Sequence, residues 1–190
     1  GALEKNTLKI TEIIREYSSQ CELIIFPEMV LTGYPPQDLL LDDTFIQKAH
    51  KALEGIAASV NTTPVIVGTI RQENEKLFNT AAVLHNSSVI TYRDKTHLPT
   101  YDVFDEVRYF TSAEFIKPVE LRINGGTVKL GLQICEDLWE EEYDLKVCQV
   151  LREKGAELLI NISASPFHIN RLQERLEIIV EKAKNLKCYF

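Results

Sequence analysis

Short apolar runs that break off at a charged, hydroxyl or sulfur-bearing residue set the tightest limit on how this chain can fold. Residues 23–26 (LIIF) stop at Pro27-Glu28, residues 89–93 (VITYR) at Asp94-Lys95, and residues 128–134 (VKLGLQI) at Cys135-Glu136. Residues 157–162 end ahead of Ser163, Ser165 and Pro166. Runs this short, rich in β-branched side chains, read as strands. Residues 64–70 and 78–85 add two more. Amphipathic helix patterns lie between them. Residues 3–17 carry Leu3, Leu8, Ile10, Ile13, Ile14 and Tyr17 among charges, with Thr7 a candidate start. Residues 45–60 follow Asp42-Asp43 with Phe45, Ala49, Leu53, Ile56 and Val60, and residues 144–154 and 169–186 are two further helices. Hairpin signals at Asn86-Ser87-Ser88 and Asn124-Gly125-Gly126 interrupt the alternation. The expected class is therefore α/β with a mixed rather than purely parallel sheet. Thr32-Gly33-Tyr34-Pro35-Pro36 cannot continue a ladder, because proline lacks the donor. Residues 96–111 read as a long aromatic loop, and residues 187–190 as the start of a strand.

A chain of 190 residues with 45% hydrophobic side chains can bury one sizeable core, leaving about 9,000 Å² exposed. With 21 Lys+Arg against 28 Asp+Glu it carries a net charge of -7, which argues against a nucleic-acid footprint, since that needs clustered Lys/Arg. The longest apolar runs are far too short to cross a bilayer, and no basic then apolar leader opens the sequence. None of the four cysteines has C-x-x-C spacing, so they read as thiols of a reducing, cytoplasmic compartment. Cys21, Cys148 and Cys188 read as packing residues. The histidines lack H-E-x-x-H spacing, so no metal site is expected, and no glycine-rich phosphate loop occurs. The acidic cluster Glu136, Asp137, Glu140, Glu141, Glu142 and Asp144 reads as a solvated helix start.

Ligands of α/β proteins gather at the carboxyl ends of strands. A carboxylate (Glu28), an amine (Lys95) and a thiol (Cys135) leave three such ends, poised toward one rim if the strands share one sheet direction. The set has a chemical logic. A carboxylate can take the thiol's proton and return it to a departing amine. A lysine ammonium lowers the thiol pKa and stabilises negative charge, and the backbone N–H of Glu136 can complete an oxyanion hole. Such a set attacks a carbonyl or nitrile carbon and expels nitrogen. From spacing alone, Cys135 also fits a small buried hydrophobe, Glu28 a turn carboxylate and Lys95 a surface side chain.

The stretches FPEMVLTGYPPQDLLL, YRDKTHLPTYDVFDEVRYF, GLQICEDLW and ISASPFHINRLQER appear in that order. Together they resemble the nitrilase, or carbon–nitrogen hydrolase, superfamily, and within it the glutaminase domains of glutamine-dependent NAD synthetases. The resemblance implies a four-layer αββα sandwich of mixed sheets, here incomplete at both ends of a single amidohydrolase domain. It implies Glu28 as general base, Lys95 as electrostatic stabiliser, Cys135 as nucleophile and Glu106 as the carboxylate that orients the lysine. Tyr101 and Phe104 fall where the family lines its glutamine pocket, and Ser165 and Arg171 where it holds the amino-acid end. Glutamine would be the substrate and ammonia the product passed on through a tunnel. ATP and magnesium would serve a C-terminal synthetase domain outside these residues, with no cofactor in this chain. Homo-oligomers are implied, with no nucleic-acid or membrane partner. Three departures concern the pocket: Asp102 and Asn170 stand where the family commonly has glycine, and Arg171 where it often has lysine. A stand-alone amidase or nitrilase, and an inactive structural fragment, remain the other readings of the sequence.

Overall fold

The computed structural model describes residues 1–123 and 125–190. The elements run α1 (Leu3–Tyr17), β1 (Ile24–Ile25), α2 (Asp43–Ala58), β2 (Val65–Glu73), β3 (Lys76–His85), β4 (Ser88–Asp94), β5 (Val119–Ile123), β6 (Gly126–Ile134), α3 (Val147–Glu153), β7 (Leu158–Ile162) and α4 (Arg171–Leu186). They form two mixed sheets, one ordered β1-β2-β3-β4 and the other β5-β6-β7. In the first, β1 pairs parallel to β2 and the rest is antiparallel; in the second, β5 is antiparallel and β7 parallel to β6.

Strand alternation explains the stacking. Val65 and Val67 of β2, with Ala82 and Leu84 of β3, face Ile10, Ile14, Leu53 and Ile56 of α1 and α2. Ile66, Ala81 and Val83 point the other way, onto Leu121, Leu130, Leu132, Ile134 and Ile160 of the second sheet. Val147, Cys148 and Leu151 of α3 pack with Leu159 outside that sheet. Burial on both faces is why β2 and β3 read as nearly continuous apolar runs. Among the described residues no helix is long and apolar enough to cross a membrane.

Several expectations shift. Helix α1 starts at Leu3, and the Thr7 hydroxyl bonds back to the Leu3 carbonyl inside it. Helices α3 and α4 begin later than the apolar spacing suggests, at Val147 and Arg171. A further hairpin joins β2 to β3 through Asn74 and Glu75, both at positive φ, a turn that no glycine announces. Of the Asn124-Gly125-Gly126 turn, Asn124 lies outside the described residues. The strand expected over residues 187–190 is one parallel bridge, Tyr189 to Leu158. Cys21 is exposed rather than packed, whereas Cys148 is buried. The acidic cluster is solvated only at Glu141, Glu142 and Asp144, and it starts no α-helix. It forms the 3₁₀ turns Cys135–Leu138 and Glu140–Glu142, and Glu136, Asp137 and Glu140 are buried. Donors account for this: Asp137 accepts from the N–H groups of Thr96, His97 and Ile134, Glu140 from that of Cys148 and from Lys182 Nζ, and Glu136 from the Tyr101 and Tyr143 hydroxyls. The chain exposes 10517 Å², above the expected area. Helix α4, which buries no residue and exposes Leu172, Leu176 and Val180, contributes to that excess.

Candidate active site

Strands β1 and β4 run in the same direction, so their carboxyl ends open at the same end of the first sheet. Glu28 leaves the first and Lys95 the second. Cys135 leaves β6 of the other sheet, so the rim is built by two facing sheets and not by one. All three side chains are buried.

Glu28 sits on a turn that rides directly on β2. A Cβ at Gly68 would collide with the Pro27 carbonyl oxygen and lie 2.6 Å from Glu28 Cα, so only glycine lets this turn approach. The carboxylate is held on both oxygens. Lys95 Nζ donates to Oε1 at 2.9 Å, Asn79 Nδ2 donates to Oε1 at 2.8 Å, and the Ala164 N–H donates to Oε2 at 2.9 Å.

Lys95 Nζ also donates to Glu106 Oε1 at 2.8 Å. Burial pulls the ammonium's pKa down, but Glu28, the Cys135 sulfur and Glu106 outweigh it and hold Lys95 above the usual lysine range. Glu106, on the 3₁₀ turn Glu106–Arg108, is shifted upward by burial, against the pull of Lys95, with Glu28 adding to the rise. The Tyr34 hydroxyl donates to its Oε1 at 2.9 Å. A cleft lined by Met29, Tyr34, Phe104 and Tyr109 reaches the site at Glu106.

Cys135 opens its 3₁₀ turn at φ 46, a left-handed conformation that costs a non-glycine residue about 1–2 kcal/mol. The turn takes the chain sharply off β6. The thiol's pKa is pushed up to about 12, by burial first and Glu28 next, against Lys95 and a hydrogen bond with Ser163. The lysine therefore does not win at the thiol, contrary to the simple charge argument. The resting group is a neutral thiol whose proton must leave as the sulfur reacts.

The Glu136 carboxylate accepts from Tyr101 Oη at 2.9 and 3.0 Å and from Tyr143 Oη at 3.0 Å. Burial, with Glu136 next, raises the Tyr101 phenol to about 12. Phe104 meets the Tyr101 ring edge-on at 5.6 Å. Ser165 and Arg171 are not joined to each other. The Ser165 hydroxyl accepts from Arg175, while Arg171 lies 4.0 Å over the Trp139 ring and pairs with Glu174 at 3.1 Å. Asp102 and Asn170 both stand at positive φ, 55° and 72°, where Asp and Asn replace glycine at least cost. Asn79, Tyr34 and Arg175 also bond to these residues, beyond those the sequence pattern picks out. For Asn79 a signal exists: it is a polar residue whose neighbours on the inward face of β3, Ala81 and Val83, are apolar. Among the described residues no group of three or more His, Cys, Asp or Glu is arranged to hold a metal ion.

The carbon-nitrogen hydrolase family model matches residues 1–189. The chain belongs to that family. Among curated relatives, the glutamine-dependent NAD(+) synthetase of Aquifex aeolicus is 37% identical over 190 residues, covering 100% of this chain and 32% of the relative. The enzyme of that name from Synechocystis sp. is 34% identical, covering 97% of this chain and 35% of the relative. The solved structure of glutamine-dependent NAD+ synthetase from Acinetobacter baumannii superposes with a TM-score of 0.88 at 30% identity, over 99% of this chain and 34% of that one. The chain thus spans about a third of the length of the relatives it matches.

Proposed function

We propose that this carbon–nitrogen hydrolase domain is the glutamine-hydrolysing part of a glutamine-dependent NAD synthetase. The observation that carries the reading is the buried chain of Glu28, Lys95 and Glu106 lying against the neutral Cys135 thiol. It supplies a proton acceptor, a fixed positive charge and a nucleophile in one closed space.

Cys135 Sγ attacks the side-chain amide carbon of glutamine as Glu28 takes the thiol proton. The oxyanion is stabilised by Lys95 and the Glu136 N–H, which need no reorganisation. Glu28 passes its proton to the amide nitrogen, the C–N bond breaks, and ammonia leaves a glutamyl thioester. Glu28 then takes a proton from water, the hydroxyl adds to the thioester carbon, and glutamate departs as the thiol is restored. Glu106 orients the lysine. Tyr101 and Phe104 line the glutamine pocket, and Ser165 and Arg171 receive the amino-acid end, Arg171 as a guanidinium suited to a carboxylate.

The ammonia would amidate deamido-NAD on a C-terminal synthetase domain, where ATP and magnesium act. Helices outside both sheets support a four-layer αββα sandwich. A homo-oligomer in the cytoplasm completes the reading. The test is Cys135→Ala in the full-length protein. Glutamine hydrolysis should disappear while NAD formation from free ammonia survives; undiminished glutaminase activity would overturn the assignment.

A further inference from the structure

Asn79 projects from β3 on the same face as Ala81 and Val83, and it is 1% exposed. Its Nδ2 donates to Glu28 Oε1 at 2.8 Å and to Glu106 Oε2 at 3.4 Å. Its backbone carbonyl accepts from the Lys95 N–H at 2.8 Å. Its Oδ1 is buried with no protein partner among the described residues. The amide is therefore oriented by its nitrogen alone, and that nitrogen is aimed at two carboxylates.

The surroundings give this weight. Glu28 and Tyr34 come from the segment after β1, Lys95 from the end of β4, Glu106 from its 3₁₀ turn and Cys135 from the end of β6. With the thiol neutral, two carboxylates share one ammonium in a largely buried space, and like charges there resist ionising together without further donors. An amide donates without carrying a charge of its own. A second lysine would weaken Glu28 as a proton acceptor, and an aspartate would add a third acid.

We infer that Asn79 is a positioning residue: its amide fixes Glu28 beside Lys95 and helps keep Glu106 ionised, leaving Glu28 in place to accept the Cys135 proton. The inference deepens the proposed glutaminase reading and rests on it for its role in turnover, though not for its effect on protonation.

The test uses the full-length protein with Asn79→Leu, which keeps volume and removes the donor, and Asn79→Asp, which keeps shape and adds an acid. Infrared titration of the protonated-carboxyl band, assigned with Glu106→Gln, reads the carboxylates without any turnover. In Asn79→Leu the midpoint should rise by about one pH unit, a tenfold change in proton affinity. It should rise further in Asn79→Asp. In glutamine hydrolysis the acid limb of kcat/KM should move upward with it, with kcat down about tenfold near neutral pH and KM within about twofold. Should Asn79→Leu fail to fold, Asn79→Ser, too short to reach Glu28, carries the same expectation. Unmoved midpoint and acid limb in a folded variant would overturn the inference and leave Asn79 a packing residue. A shifted midpoint in a protein that hydrolyses no glutamine would sustain the inference and sink the functional reading.

Discussion

The Ala164 N–H donates to Glu28 Oε2 at 2.9 Å across 136 residues of sequence. Glu28 follows β1 in one sheet and Ala164 follows β7 in the other, so this bond closes the gap between the sheets beside Cys135. The spacing of two packed sheets thereby sets where the carboxylate sits, and side-chain choice alone does not. Any change that shifts either sheet end should reach the chemistry through this contact.

Lys95→Met removes the one cation shared by two buried carboxylates. Breaking a buried pair costs about 3–5 kcal/mol near neutral pH. Burial and Glu28 already hold Glu106 above the usual carboxylate range. Without the ammonium, its folded-state pKa lies further above the unfolded value. A carboxyl shifted that way binds protons on folding, so stability falls as pH rises through the interval between the two values and recovers as pH drops. The deficit in Tm against the parent protein should be largest near about pH 8 and shrink toward about pH 5. Calorimetry across that range checks it, and a deficit that grows on acidification would contradict the ion-pair assignment.

Gly68→Ala forces a methyl group into the Pro27–Glu28 backbone, with no flexible side chain able to give way. Overpacking of this kind costs about 1–3 kcal/mol. The displaced turn carries Glu28, so activity should fall by far more than stability does. Denaturant unfolding alongside glutamine hydrolysis separates the two, and a variant that keeps full activity would show that Glu28 tolerates the shift.

The Cys135 thiol, with a pKa pushed up to about 12, is not a preformed thiolate. Alkylation of Cys135 by iodoacetamide, followed by mass spectrometry of its peptide, should keep rising through about pH 10, where an ordinary cysteine levels off above about 8.5. A plateau near the ordinary value would mean that Lys95 outweighs burial after all.

Much of this site was readable in advance because strand ends are. Glu28, Lys95 and Cys135 each follow an apolar run, and apolar runs betray themselves by composition. The partition of those runs between two sheets was not readable, since a buried strand carries no mark of which neighbour it pairs with. The hairpin at Asn74-Glu75 stayed hidden because its positive φ values fall on residues other than glycine. Tyr34 stayed hidden because a polar residue in a loop declares its role only through partners far along the chain. The acidic residues after Cys135 misled for the same reason: a run of carboxylates looks solvated until the N–H groups of Thr96, His97 and Cys148 arrive beside it.

Asp137 shows how much rests on those arrivals. It is fully buried and accepts from the N–H groups of Thr96 at 3.0 Å, His97 at 2.9 Å and Ile134 at 3.1 Å. Arg93 Nη2 lies 3.5 Å away, and Arg93 has two further guanidinium nitrogens without partners among the described residues. Two of the bonds fall just after Lys95 and one just before Cys135, so a single carboxylate ties the lysine's loop to the cysteine's strand. Asp137→Ala strands three buried donors and leaves the buried Arg93 guanidinium with Thr96 Oγ1 but no carboxylate, a loss of about 3–5 kcal/mol. Asp137→Asn keeps one oxygen to accept but turns an NH₂ toward donors, so it should recover only part of that stability. Its kcat should fall while KM stays close to the parent value, because the reacting groups move and the outer pocket does not. Urea unfolding of both variants together with steady-state kinetics of the second decides it; an Asp137→Ala protein as stable as the parent would remove Asp137 from this role.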